Sequence, residues 1–262
     1  MVGGARTAAG PRFSARAGPR PALGAILAVL LASSSQARAD DVGLDDLVGE
    51  WLSAGYLERL EATRSPAQAA DDGLTAFVLD MDGPVYRWLR IYGFHEAVTL
   101  EVEGLEATGE PGAFLLIVGD GDESGIGEVR LEIGGGAAGA GGVERLTLHE
   151  GDGRPEGFVR AEPSLEEHIN RIVLAGSYVD ALGRSLQFSA AGEAVWPGGA
   201  LRYRLHLDGE ADGCDTLTAE LDAGPRDFGF KREADRLELY ELPGDEPASC
   251  TGSPSLVLTR TE

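Results

Sequence analysis

From Val98 onward the chain keeps returning to one pattern, apolar and polar residues in strict alternation over short runs that end in clusters of turn formers. In VTLEVEG, Val98, Leu100 and Val102 share one face, while Thr99, Glu101 and Glu103 share the other. VRLEI, RLTLHE, LRYRLHLD and RLELYE behave the same way, GDGDESG, GDGRPEG, WPGG and PGDEP separate such segments, and MDGP is a turn cluster of the same kind earlier in the chain. A period of two belongs to strands, and a clean apolar/polar alternation belongs to antiparallel strands with one wet face. GGGAAGAGG, Gly134 to Gly142, falls between two such strands and reads as a hairpin tip. It is not followed by the strand and helix that a nucleotide-binding loop requires.

Two segments have helical spacing instead. Leu44, Leu47, Val48, Trp51, Leu52 and Leu60 recur at steps of three and four, and the run is broken by Pro66 and Gly73. In PSLEEHINRIVLAGSY, Ser164 and Glu167 form a capping box ahead of the stripe Leu165, Ile169, Ile172 and Val173, with Gly176 as the stop. The expected fold is all-β: antiparallel strands with two short helices.

The first residues point to export. Arg6, Arg12, Arg16 and Arg20 precede the apolar run PALGAILAVLLA, and Ala37-Arg38-Ala39 fits a cleavage site of the A-x-A kind. The run is shorter than the roughly 20 apolar residues that span a bilayer. We therefore read 1–39 as a signal peptide, 40–163 as a half made of a helix plus β-structure, and 164–262 as a capped helix plus a second β half. A secreted or periplasmic location is expected, with no membrane span after cleavage. The whole chain has 22 basic and 44 acidic residues; five arginines and no acids lie in 1–39, which leaves 17 against 44, a net of −27. Such a field repels nucleic acid and anionic lipid and suits cations or a basic partner. In an exported chain the pair Cys214 and Cys250 is expected to form a disulfide, worth roughly 3 to 4 kcal/mol in the chain-entropy model.

A faint internal repeat runs through the two halves. LVGEW at Leu47 echoes LAGSY at Leu174, and ERLTLHEGDG at Glu144 echoes DRLELYELPGDE at Asp235. LAGSYVDALGRSLQFSAAGEAVWPGGALRYRLHLD, FGFKREADRLELYE and PSLVLTR resemble the lipocalin-like, calycin-type β-barrel proteins of bacteria, and Gly49-Glu50-Trp51 resembles the G-x-W that opens such a barrel. The resemblance covers the last third of the chain best. It implies antiparallel lipocalin-like β-barrels, one in each half or a single larger barrel fed by both, but fold analogy does not supply a ligand. Trp51 departs from the pattern, because its spacing places it in a helix.

LTAFVLDMDGPVYRW, Leu74 to Trp88, resembles the first motif of the haloacid dehalogenase phosphatases. That resemblance makes Asp80 the nucleophile and Asp82 the general acid/base around Mg²⁺, with Asp120 and Asp122 as the later acidic motif. Only one strand–helix unit fits between the two motifs, the flanking strands alternate as antiparallel ones do, and the sole lysine, Lys231, follows the acidic motif instead of preceding it. A hairpin is the expected structure. In DGDESG, Asp120, Asp122 and Ser124 match the first half of a calcium loop, and Glu128 matches its ninth position. Position twelve is Leu131, so an acidic turn is expected, with a weak calcium site as the alternative. His95, His149, His168 and His206 lack zinc-site spacing, and no G-x-S-x-G is present.

These observations lead to a non-enzymatic expectation with no assigned catalytic residue and no cofactor beyond that calcium: an exported acidic barrel that holds a small, mostly apolar ligand, or an envelope protein as partner. Trp88, Tyr92, Phe188, Trp196 and Tyr203 are the expected lining, because aromatic surface grips apolar ligands. The alternatives are the phosphatase on Asp80 and Asp82 and a structural envelope protein without a small ligand.

Overall fold

A computed structural model describes residues 42–119, 127–134, 143–151, 153–196, 198–207, 214–242 and 249–261. They form two closed antiparallel barrels of eight strands each. The first contains β1 (Gly49–Ser53), β2 (Leu74–Asp82), β3 (Val85–Tyr92), β4 (Glu96–Ala107), β5 (Ala113–Val118), β6 (Glu128–Ile133), β7 (Arg145–His149) and β8 (Glu156–Arg160). The second contains β9 (Gly176–Asp180), β10 (Ser185–Phe188), β11 (Glu193–Trp196), β12 (Gly199–His206), β13 (Asp215–Leu221), β14 (Gly224–Glu233), β15 (Arg236–Glu241) and β16 (Leu256–Arg260). Four short helices occur among the described residues, two more than the spacing suggests: α1 (Leu44–Leu47), α2 (Ala54–Thr63), α3 (Pro66–Ala69) and α4 (Leu165–Val173).

The first predicted helix is in fact α1, then strand β1, then α2. Leu52 and Trp51 are both fully buried, Trp51 inside the first barrel's core and Leu52 in the cluster that joins the two barrels. A strand buried on both faces shows no alternation, so its residues counted toward a helical stripe. Gly49, at φ 144, makes the break. Arg160, the cross-strand neighbour of Trp51, lies 4.5 Å from the ring centroid. Its guanidinium donates to the carbonyls of Val143, Val48 and Asp46, tying the barrel's last strand to its first turn. The second helix, α4, forms as expected, with Ser164 Oγ accepting from Glu167 N at 3.1 Å.

The stretch that resembles the phosphatase motif is a two-residue hairpin. Asp82 faces Val85 across the turn, and Gly83 has φ 63 at the first turn position, as a type II′ turn requires. Asp80 lies opposite Arg87, Asp82 pairs with Arg87 at 2.8 Å, and both aspartates are exposed. The chain therefore places these residues in an antiparallel barrel, not in the parallel sheet that the resemblance implies. Asp80→Asn should leave the urea midpoint unchanged, whereas Gly83→Val should lower stability by about 1–3 kcal/mol, the usual strain of a β-branched residue at positive φ.

The disulfide Cys214–Cys250 is formed. It lies flat on β14, where a Cβ at Gly229 would run into both sulfurs. The glycine of FGF, residues 228–230, is thereby explained.

Helices cement the junction of the barrels. Tyr56, Leu60 and Ala69 from α2 and α3 share one buried cluster with Ile169, Val173 and Leu174 at α4 and with the second barrel's core. Arg64 donates to Ile172 O at 3.0 Å and Arg232 donates to Val173 O, so two guanidiniums satisfy carbonyls at the C-terminal end of α4. Asp215 accepts from Ala67 N at 2.8 Å across the same junction, and burial raises its carboxyl above the ordinary range. A carboxyl raised in the folded state binds its proton more tightly folded than unfolded. Its charge therefore costs stability above the folded pKa, and that cost disappears as pH falls to the ordinary carboxylate value. Asp215→Asn keeps the acceptor oxygen and removes the charge. It should stabilise at pH 7 relative to the parent, with the gain shrinking toward pH 4 in thermal melts.

Candidate functional site

The two barrels have different interiors. An eight-stranded barrel is just wide enough either to be filled by its own side chains or to hold one small ligand. The first barrel is filled. Phe77 lies 5.8 Å from Trp51, 6.0 Å from Trp88 and 5.0 Å from Phe158, centroid to centroid, and the residual space beside Trp88 is about 10 Å³. The second barrel is hollow. A cavity of about 220 Å³ is lined by Phe188, Trp196, Leu201, Tyr203, Leu217, Ala219, Leu221, Phe228 and Leu239.

Strand register explains the difference. Gly49 and Gly176, at φ 144 and 151, open the two barrels in the same way, and the ring donors of Trp51 and Tyr178 each bond to the carbonyl four residues back, at 3.0 and 2.8 Å. With these glycines matched, the strand partners match as well. Trp51 pairs with Phe77 where Tyr178 pairs with Leu186, and Leu79 pairs with Trp88 where Phe188 pairs with Ala194. Phe158 is two residues before Arg160, the partner of Trp51, and Leu258 is two residues before Arg260, the partner of Tyr178. Phe77, Trp88 and Phe158 of the filled barrel thus correspond to Leu186, Ala194 and Leu258 of the hollow one. Phe188, in place of Leu79, returns only part of that volume.

The cavity has a direction. Phe188, Tyr203, Leu217, Ala219 and Leu239 are buried, whereas Trp196, Leu201, Leu221 and Phe228 are half-buried. The latter four mark the mouth, at the end away from α4. The Tyr203 hydroxyl is already spent on Ser189 O at 2.6 Å, and burial pushes its pKa up. The interior therefore offers apolar and aromatic surface and almost nothing polar. Register also places Arg226 and Glu241 on the cavity-facing side of their strands, because Arg226 is opposite Ala219 and Glu241 is opposite Phe228. The two form an ion pair in which each side chain is about half exposed.

The corresponding end of the first barrel is closed by a polar plug. Arg90, two residues beyond Trp88 on β3, keeps only 3% of its side chain exposed and reaches both carboxylate oxygens of Glu150 at 2.6 Å. Its guanidinium lies 4.7 Å from the Trp88 ring centroid and 5.3 Å from that of Tyr92. The Arg90 Nε and Trp88 Nε1 donors are buried without a protein partner. Burial raises the carboxyl of the half-buried Glu156.

Of the five aromatic residues expected to line a site, Phe188, Trp196 and Tyr203 come together on the cavity. Trp88 belongs to the packed core of the first barrel, and Tyr92 lies at its plugged end. The sequence reading missed Leu201, Leu217, Ala219, Leu221, Phe228 and Leu239. Their signal was the alternation itself: Leu201 and Tyr203, then Leu217, Ala219 and Leu221, are the inward phases of β12 and β13, with a small residue among them. Asp120, Asp122 and Ser124 lie outside the described residues, and Glu128 is exposed at the start of β6. Among the described residues no cluster of three or more His, Cys, Asp or Glu could hold a metal ion, and no helix is long and apolar enough to cross a membrane. No protein-family model matches the chain, and no curated protein or solved structure matches it either.

Proposed function

We propose that this is an exported, lipocalin-like binding protein whose C-terminal barrel holds one small, mostly apolar ligand, while the N-terminal barrel serves as a solid support. One observation carries the reading: two barrels with the same opening motif and matching register, one packed with aromatic rings and the other emptied at the matching positions. An apolar cavity of about 150 Å³ stays dry and takes up benzene, so 220 Å³ suits a ligand of about ten heavy atoms. Concave apolar pockets with a few polar groups at the rim are the usual form of small-molecule sites.

Native mass spectrometry of the protein purified from its own envelope is the test. The expected spectrum contains a population carrying one apolar adduct per chain, lost on delipidation and restored by an added probe such as octanol. A spectrum of bare protein that octanol does not shift would contradict the reading.

A further inference from the structure

The first barrel shows what the glutamate at the mouth of the second one is built to hold. Matching Phe158 to Leu258 also matches their β7 and β15 partners, Leu146 and Leu237. Two steps further along those strands Leu148 corresponds to Leu239, and two more bring Glu150 to the place of Glu241. In the first barrel that carboxylate receives the guanidinium of Arg90, which lies over the face of Trp88. In the second barrel the residue in the place of Arg90 is Trp196, and the residue in the place of Trp88 is Ala194. The carboxylate has been kept, while the internal cation and the ring beneath it have been removed. That removal is also part of what opens the cavity.

We infer that the ligand of the C-terminal barrel is an amphiphilic organic cation: an apolar body of about ten heavy atoms in the cavity, with an ammonium or guanidinium head at the mouth on Glu241, in the place that Arg90 fills in the first barrel. This rests on the cavity reading above and adds the charge of the ligand to it. Three further features agree. The half-buried Trp196 and Phe228 both line the cavity, and Phe228 is the cross-strand neighbour of Glu241, so a cation there has aromatic side chains and a carboxylate close by. The present partner of Glu241, Arg226, is a half-exposed surface residue, and exposed ion pairs of this kind are weak enough to exchange. A chain with 22 basic and 44 acidic residues attracts cations over long range and repels anions. The head stays at the mouth because none of the residues that line the cavity carries a charge to pair with it, and burying an unpaired charge is costly.

Three ligands with the same tail isolate the head group: octylamine, octanol and octanoate, titrated by calorimetry into the full chain at pH 7 and low salt. Octylamine is expected to bind about tenfold more tightly than octanol, and octanoate more weakly than either. Glu241→Gln should bring octylamine to the affinity of octanol without changing octanol itself. Arg226→Gln should raise octylamine affinity severalfold, because it frees the carboxylate. If octanol binds but octylamine binds no better, or if its advantage survives Glu241→Gln, the cation assignment is wrong and the cavity reading stands. Octanoate binding most tightly, with loss in Arg226→Gln, would reverse the sign of the head group. If none of the three binds, the cavity reading fails and the cation assignment fails with it.

Discussion

Trp88→Ala should destabilise the protein by about 3–5 kcal/mol, read as a lowered urea midpoint with little change in slope. Trp88 is almost fully buried, meets Phe77 edge-on at 6.0 Å and supports the Arg90 guanidinium from below. With only about 10 Å³ free beside it, the neighbours have little slack to close the space that truncation opens. The Trp88 Nε1 donor has no protein partner, so the loss comes from packing and from the stacked arginine. This substitution writes into the first barrel the residue that the second already has at Ala194. A cost well below 1 kcal/mol would mean that the first barrel is not packed as described.

Ala219→Phe is the reverse operation on the hollow barrel. Ala219 lines the cavity between the mouth and its floor, next to Tyr203 on one strand and Arg226 on the other. A phenyl ring there would occupy much of the 220 Å³ without displacing backbone. Overpacking a full core costs about 1–3 kcal/mol, but a cavity that can accept the ring should keep the cost under about 1 kcal/mol. The affinity for octanol should fall at least a hundredfold. Circular dichroism and a thermal melt would establish that the fold is kept, and calorimetry would read the affinity. Undiminished uptake in Ala219→Phe would place the ligand somewhere other than this cavity.

Much of the fold was legible in the residues, and the reasons are physical. Strands with one wet face, such as β4 and β12, write their alternation openly, and turn clusters bound them. The helix α4 announced itself through the Ser164 cap. Strand β1 did not, because Trp51 and Leu52 are buried on opposite faces and periodicity cannot separate such a strand from a helix. The repeat was visible at its ends, in LVGEW against LAGSY and in ERLTLHE against DRLELYE. The informative differences between the halves were not visible, because β2, β3 and β4 are longer than β10, β11 and β12, and the first barrel has the two inserted helices α2 and α3 between its first two strands. A single sequence offset therefore cannot bring Trp88 opposite Ala194; strand pairing does. The same limit explains the cavity lining. Aromatic residues were the visible candidates, but a cavity is made by what is missing, and an alanine at an inward position carries no signal until its partner in the other barrel is known.

The most direct test of a hollow C-terminal barrel uses the protein's own fluorescence. Trp51 and Trp88 are buried in the first barrel, and Trp196, the third tryptophan of the chain, lines the cavity of the second. Titration with naphthalene, excited so that tryptophan emission is followed, should give a saturable change at one equivalent per chain. That change should vanish in Trp196→Phe, whose remaining emission comes from Trp51 and Trp88. A response that is linear and unsaturable, or one that persists unchanged in Trp196→Phe, would contradict a ligand cavity in this barrel.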